Sequence, residues 1–437
     1  MITLRKYQEE ISQKAHKILL SKGLVYLSME VRTGKTLTAL NVCKLYHTGW
    51  DNFKVLIVTK KKAIKDIEQQ CKDFNVKATV INYESVNKVD TNNIDVLILD
   101  EAHSIGAYPK PTNRFKDIKA ILSKNNRYTR VIYLSGTPSP ESYSQLFHQF
   151  KVSDEFSPFK DFVNFYKWSK TFVNETTKRV ANGFNATDYS DANKTKIDEI
   201  LKPYFISYTQ EEAGFKQQVN EEVLSVKMKP ITYQLTKQLV KDEVVEGKEN
   251  VILADTAVKK QSKLHQLFSG TVKFEDGSTK TIDYSKAEFI KKKFEGKKIA
   301  IFYIFKQEFE LLKEIFPKFT LEPTEFNTSN DLVFLGQIRS VREGLNLSSA
   351  DCLIMYNIDF SAISYLQGKD RMTAKDRTKE NKVYWIFAED GIEDKIYKTV
   401  INKKDYTLSY FKRDYENRKP SAKQDNKGVR KQGLLFD

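Results

Sequence analysis

The sequence holds little that would staple, anchor or export a chain. Three cysteines occur in 437 residues, Cys43, Cys71 and Cys352. They are far apart and lack C-x-x-C spacing, which argues against a zinc site or a disulfide framework and for a reducing compartment. No apolar run approaches the roughly 18 residues that span a bilayer. The chain opens on a polar, helix-like stretch, so no membrane anchor or export segment is expected, and the expected setting is the cytoplasm. No nuclease constellation is visible. Acidic residues are outnumbered: the net charge is +15 with 30% of residues charged. Such an excess favours a polyanionic partner such as nucleic acid, although a lysine-rich soluble protein would show the same balance.

What is present has a rhythm. At 437 residues the chain suits two domains of roughly 100–200 residues with insertions. Within 1–150, short apolar runs at 24–29, 55–58, 78–81, 96–99 and 131–134 alternate with polar helical stretches. That alternation predicts a parallel sheet with helices on both faces. It returns at 299–305, 332–335, 352–356 and 383–387, giving a second α/β lobe over 296–414. The intervening 151–295 lacks the rhythm and reads as helical insertions and a linker, with helices at 231–244 and 257–268. Between Val272 and Ile282, alternating residues around Asp276-Gly277 predict a β-hairpin. Residues 415–437, rich in Lys, Arg, Asn, Gln and Gly, read as a flexible tail.

Three segments carry chemistry. Met29-Glu-Val-Arg-Thr-Gly-Lys-Thr36 follows an apolar strand and opens a helical run. That context suits a phosphate-binding loop: backbone N–H groups from Arg32, Thr33 and Gly34 onward surround phosphates, Lys35 reaches the β and γ oxygens of ATP, and Thr36 ligates Mg²⁺. Asp100-Glu-Ala-His103 follows the strand at 96–99. There Asp100 can hold Mg²⁺ through water and Glu101 can orient or deprotonate the attacking water. The distance between the two motifs, about two βαβ units of roughly 30 residues each, predicts that they meet on adjacent strands. A third segment, Leu134-Ser-Gly-Thr-Pro138, places small hydroxyl residues at the same sheet edge.

The order Gly-Lys-Thr, Asp-Glu-Ala-His, Ser-Gly-Thr-Pro resembles superfamily-two helicases, and in detail the Swi/Snf-type branch and its phage-encoded DEAH-motif relatives. Leu4-Arg5-Lys6-Tyr7-Gln8 resembles that branch's adenine-reading motif, with Gln8 as the implied base contact. Val55–Thr59 and Asn82-Tyr83-Glu84 resemble its nucleic-acid-contacting segments. In the second half, Lys298–Tyr303 resembles motif four, Arg342–Leu347 motif five, and Gln367 to Arg377 motif six. The resemblance implies two RecA-like lobes. It also implies a coupling site at Gly344 and Asn346, and an ATP interface at Gln367 and Arg371, with the family's arginines acting on the γ-phosphate.

The sequence departs from the pattern at two places. Arg32 stands where Swi/Snf-type loops carry glycine, so the loop is either stiffer or has an extra cation, or the side chain faces solvent. Where motif six usually has a second arginine there is Ala374, so Arg377 supplies it from a longer loop, Arg371 acts alone, or Arg377 is a surface charge. The last residues, Gln432-Gly-Leu-Leu-Phe436, resemble peptides that dock into bacterial sliding clamps; a segment folding back on the lobes is the alternative.

The expectation is an ATP- and Mg²⁺-dependent helicase or translocase, a nucleic-acid-stimulated ATPase. Its substrate would be duplex, forked or branched DNA in replication, recombination or repair, in a bacterial or phage-infected cytoplasm. The rival readings are an RNA helicase, a degenerate ATPase serving as a nucleic-acid scaffold, and the motor subunit of a defence complex.

Overall fold

The computed structural model describes residues 3–47, 53–125, 129–179, 185–214, 219–246, 250–338, 347–361 and 380–401. The chain divides into two units, Met1–Lys216 and Gln217–Asp437, each built on its own parallel sheet. The stretch 151–295 is therefore shared between them.

Lobe one contains helices α1 (Lys6–Lys22), α2 (Lys35–Tyr46), α3 (Ile64–Asp73), α4 (Asn113–Lys124), α5 (Gln145–Lys151), α6 (Phe165–Phe172) and α7 (Lys194–Leu201). Its strands are β1 (Leu24–Met29), β2 (Val55–Thr59), β3 (Ala78–Asn82), β4 (Val96–Asp100), β5 (Arg130–Leu134) and β8 (Phe205–Tyr208); β6 (Thr176–Arg179) and β7 (Asn185–Asp188) form a separate antiparallel hairpin. The six sheet strands run parallel in the order β3-β2-β4-β5-β1-β8.

Because side chains alternate along a strand, each strand feeds two cores. Leu24 and Tyr26, Leu56 and Val58, Leu97 and Leu99, Val131 and Tyr133 pack with α4, α5, α6 and α7. Their neighbours Val25 and Leu27, Val55 and Ile57, Val96 and Ile98, Ile132 and Leu134 pack with α1, α2 and α3. Burial on both faces is why these strands read as unbroken apolar runs. One expectation needs correction. β1 and β4 are not neighbours, since β5 lies between them. The chain crosses from β1 to β2, out to β3, and back through β4 and β5, so the last strand of the series fills the place beside the first.

Lobe two has strands β9 (Val219–Val226), β10 (Val244–Glu246), β11 (Val251–Leu253), β12 (Thr271–Lys273), β13 (Thr279–Thr281), β14 (Ile299–Tyr303), β15 (Phe319–Thr320), β16 (Val333–Gln337), β17 (Cys352–Met355) and β18 (Asn381–Ala388). Its main sheet is again parallel and six-stranded, in the order β15-β16-β14-β17-β18-β9. Helices α8 (Pro230–Asp242), α9 (Ala257–Phe268) and the helix Glu393–Val400 pack one face through Phe302, Phe334, Leu353 and Trp385. On the other, α10 (Ser285–Lys293) and α11 (Lys306–Ile315) meet Ile301, Leu335, Ile354 and Ile386.

The hairpin around Asp276-Gly277 is present. β12 and β13 pair antiparallel, and Gly277 takes φ 90° in the turn, where only glycine is unstrained. β8 and β9, one strand for each sheet, come from the stretch read as helical protrusions. Gly344, Asn346, Gln367, Arg371, Arg377 and the tail from 415 lie outside the described residues.

Candidate active site in lobe one

The loop from β1 to α2 begins at Glu30 and closes at Gly34, the N-cap of α2, whose φ is 86°. Lys35 and Thr36 form the first turn of a 12-residue helix, the end at which free N–H groups and the helix dipole favour an anion. Arg32, at the position where glycine was expected, adopts the left-handed φ of 63° that glycine would. The backbone shape is thus kept at a cost of about 1–2 kcal/mol for a residue with a Cβ, and the side chain is half-buried.

Helix α1 braces this loop. The Gln8 amide nitrogen and the Tyr7 hydroxyl both donate to the Thr33 carbonyl, at 3.3 and 3.0 Å. The Gln8 amide oxygen accepts from the Arg5 backbone N–H at 2.8 Å, and Ser12 reaches across to the Thr38 carbonyl at 3.3 Å. Gln8 is 3% exposed. Its amide therefore holds the loop itself, whatever further contact its second N–H makes. A Cβ at Gly34 would stand 1.9 Å from that amide nitrogen, so the loop and Gln8 fit only with glycine there. From the other side, the Glu30 N–H donates to the Tyr208 carbonyl at 2.9 Å. Gln210 donates its backbone N–H to Glu30 Oε2 at 2.7 Å and its amide to the Val31 carbonyl at 3.0 Å.

Asp100 ends β4, and it is fixed by two residues of the segments expected to contact nucleic acid, a supporting role that the sequence reading did not assign them. Thr59, fully buried at the end of neighbouring β2, donates its hydroxyl to Asp100 Oδ2 at 2.6 Å. Tyr83, buried beneath it, donates to the Asp100 carbonyl at 2.7 Å. The signal was positional: a hydroxyl at the C-terminal end of the strand beside the carboxylate. Loss of surrounding water and the adjacent Glu101 carboxylate push the Asp100 carboxyl up to about 6, against the Thr59 hydrogen bond and the Lys35 charge. A pair of oxygen donors short of positive charge is the chemistry that suits a hard divalent cation. Glu101 itself has φ 50°, a left-handed backbone in a residue at the heart of the site.

The Ser-Gly-Thr-Pro turn after β5 bridges the two motifs. Ser135 Oγ lies 3.0 Å from His103 Nδ1 and accepts the Thr137 N–H at 3.1 Å. His103 Nδ1 is also 3.3 Å from Glu101 Oε2. Burial lowers the His103 pKa, the Glu101 carboxylate opposing it. Gly136 passes so close to the phosphate loop that a Cβ would sit 3.2 Å from the Met29 carbonyl. The chain of contact runs from loop to Gly136, Ser135, His103 and Glu101. Lys35, Asp100 and Glu101 are thus gathered at one sheet edge, with β5 as the link. A groove of about 670 Å³ opens nearby, lined by Ser28, Pro138, Tyr143, Lys194, Asp198 and Phe205 among others.

The sequence model of the SNF2-related domain matches residues 37–276, more than half of the chain. The ISWI chromatin-remodeling complex ATPase ISW1 of Saccharomyces cerevisiae is 30% identical over 107 residues, which are 24% of this chain and 9% of that relative. The chain thus spans less than a tenth of that relative's length. Among solved structures, the Sulfolobus solfataricus SWI2/SNF2 ATPase core in complex with dsDNA has a TM-score of 0.40 and 16% identity, covering 94% of this chain and 92% of that one. The same organism's SWI2/SNF2 ATPase core domain alone has a TM-score of 0.41 and 15% identity, covering 92% and 89%.

Proposed function

This chain belongs to the SNF2-related domain family; from that premise we propose that it is a nucleic-acid-stimulated ATPase, a motor that tracks duplex, forked or branched DNA in replication, recombination or repair. The observation that carries the reading is the joining of the phosphate loop to the carboxylate pair through Gly136, Ser135 and His103.

In this reading Lys35 holds the β and γ oxygens of ATP, and the N–H groups of Thr33, Gly34 and the first turn of α2 cradle the phosphates. Thr36 and Asp100 would hold Mg²⁺, which supplies charge neutralisation at the phosphates when bound. Glu101 takes the proton of the attacking water. In the second lobe, Gly344 and Asn346 couple DNA to hydrolysis, Gln367 faces the nucleotide, and Arg371, with or without Arg377, meets charge on the γ-phosphate. These assignments, like the kinship with phage-encoded helicases, rest on the motif order, whereas the cytoplasmic setting rests on the scarce, widely spaced cysteines. The net charge of +15 supports a polyanionic track, held mainly through phosphates and hence sensitive to salt.

The test is ATPase rate with no nucleic acid, single strand, duplex, fork, four-way junction and RNA, for the wild type, Lys35→Ala and Glu101→Gln. Stimulation by duplex or branched DNA that both substitutions abolish, with ATP still bound by Glu101→Gln, supports the motor. Stimulation confined to RNA, or near-normal rates in either variant, overturns it.

A clamp-docking peptide at Gln432–Phe436 is part of the same proposal. Burying Leu435 and Phe436 is worth about 1.5–3 kcal/mol each when fully enclosed. A chain ending at Lys431 should keep its ATPase and lose capture by a sliding clamp; equal capture of both chains removes the idea.

A further inference from the structure

In lobe two, a buried set of polar groups that no catalytic role uses joins the ends of the strands that lead into the family motifs. The hydrogens in it can be assigned. The Glu308 carboxylate accepts the backbone N–H groups of Ile304 and Phe305 on Oε2, at 2.6 and 2.9 Å, and Asn357 Nδ2 on Oε1 at 2.6 Å. Because that side of the amide must donate, Asn357 turns its oxygen to His265. Oδ1 also accepts the Ile358 N–H at 2.8 Å, so His265 Nε2, 2.6 Å away, must carry the hydrogen. His265, Glu308 and Asn357 are all essentially without solvent exposure.

The set lies where three strands end. Ile304 and Phe305 follow β14. Gln337, the last residue of β16, donates its amide to the Ile304 carbonyl at 2.9 Å, and the sequence then enters the motif-five segment. Asn357 follows β17, and the sequence beyond Phe360 enters the segment that carries Arg371. The His265 ring packs between Phe305 and Phe360, with centroids 5.2 and 4.8 Å away. Helix α9 is further tied in by Tyr356, whose hydroxyl donates to the Ser269 carbonyl at 2.8 Å.

We propose that His265, acting through Asn357 and Glu308, is a positioning residue that fixes the exits of β14, β16 and β17, from which the sequence continues towards motifs five and six, and that ATP turnover depends on those exits. A purely apolar plug would fill the same space, but it would leave the Asn357 oxygen one donor short and remove the bond that ties α9 to the exit of β17. Misplacement by an ångström of a group acting on the reacting atoms costs about 10²-fold, and loss of an outer support about 10- to 100-fold. The role rests on the motor reading for its link to hydrolysis.

The experiment uses the full chain. His265→Leu keeps volume and removes the donor; His265→Gln keeps a donor near the place of Nε2. Three quantities are read: kcat and KM for DNA-stimulated ATP hydrolysis, melting temperature, and hydrogen exchange of the peptide covering 347–361. The expected result is a folded His265→Leu chain with kcat down about 10- to 100-fold, KM for ATP little changed, and faster exchange at 357–361, all restored towards wild type in His265→Gln. If melting shows His265→Leu to be unfolded, His265→Asn, whose amide stops short of Asn357, takes its place with the same expectation. Wild-type kcat in the donor-less variant, or a loss that glutamine does not restore, overturns the proposal. A wild type without any ATPase would instead overturn the motor reading, and unchanged exchange in His265→Leu would then overturn the positioning role by itself.

Discussion

His103 Nδ1 and Ser135 Oγ stand 3.0 Å apart, and this one hydrogen bond ties the carboxylate loop after β4 to the turn after β5. Ser135→Ala would take the hydroxyl partner from a buried ring nitrogen and leave Glu101 Oε2 beside it at 3.3 Å. We expect a stability loss of about 1–3 kcal/mol and a fall of about tenfold in DNA-stimulated turnover, as for other lost outer supports. Binding of ATP, measured by fluorescence of a labelled nucleotide, should stay near wild type. A parallel fall in binding would place Ser135 at the nucleotide instead.

Gly34→Ala is expected to weaken ATP binding sharply, because the added methyl meets the Gln8 amide at 1.9 Å and the left-handed backbone disfavours a Cβ. Gln8→Ala in the same chain removes the collision but not the backbone strain, so the double variant should recover part of the affinity. Isothermal titration of both against Gln8→Ala alone measures this. No recovery would mean that the strain accounts for the whole loss.

The arginine assignments separate cleanly. Arg371→Ala should lower turnover by about 10³-fold or more, as arginine fingers do, with ATP affinity little changed. A silent Arg377→Ala beside it identifies a single-arginine site; equal losses assign both. If neither variant changes steady-state hydrolysis, the motif-six reading of 367–377 fails.

Stability should depend on the protonation of His265. Burial holds its pKa down at about 4, the Asn357 hydrogen bond and Asp359 opposing and Lys286 reinforcing the shift. The unfolded chain protonates this ring below about 6.5 while the folded chain does not. Its contribution is therefore complete above pH 6.5 and lost as the pH falls towards 4, roughly 3 kcal/mol in all. Glu308, raised by its own burial, acts in the opposite sense. Denaturant unfolding of wild type and His265→Gln at pH 4.5 and 7.5 isolates the term: the wild type should lose more stability on acidification. Equal losses would refute it.

Much of lobe one could be read from its residues. The run 24–29 became β1 with those bounds, as 257–268 became α9 in lobe two; a strand buried on both faces imprints itself on composition as an unbroken apolar run. Strand order is another matter. Nothing in the residues of β5 says that it will lie between β1 and β4; that follows from the direction of each crossover, which periodicity does not record. β8 and β9 were hidden for a second reason. Phe205–Tyr208 is only half-buried, and Val219–Val226 carries two glutamates and a single buried residue, Val226, as an edge strand can. The Thr59 and Tyr83 supports of Asp100 were invisible as a motif, since they meet the carboxylate only once β2 and β4 are paired. The sequence also could not show that Gln8 spends its amide on the loop, or that His265 and Glu308, 43 positions apart in the numbering, share an asparagine.

The bonds from Gln210 to Glu30 and Val31 also give lobe one a mechanical grain. β8 pairs in parallel with β1, from Tyr26 against Phe205 to Met29 against Tyr208, and the sequence then runs on from Gln210 toward the second unit. Tension along that strand loads the ladder in shear, with its bonds sharing the load, whereas the two Gln210 bonds stand at its leading end and feel it first. Their acceptors, the Glu30 carboxylate and the Val31 carbonyl, open the loop between β1 and α2. Traction on the chain leaving lobe one would thus reach the loop between β1 and α2 before it reaches the sheet, so Gln210 stands where load would enter the segment proposed to hold ATP.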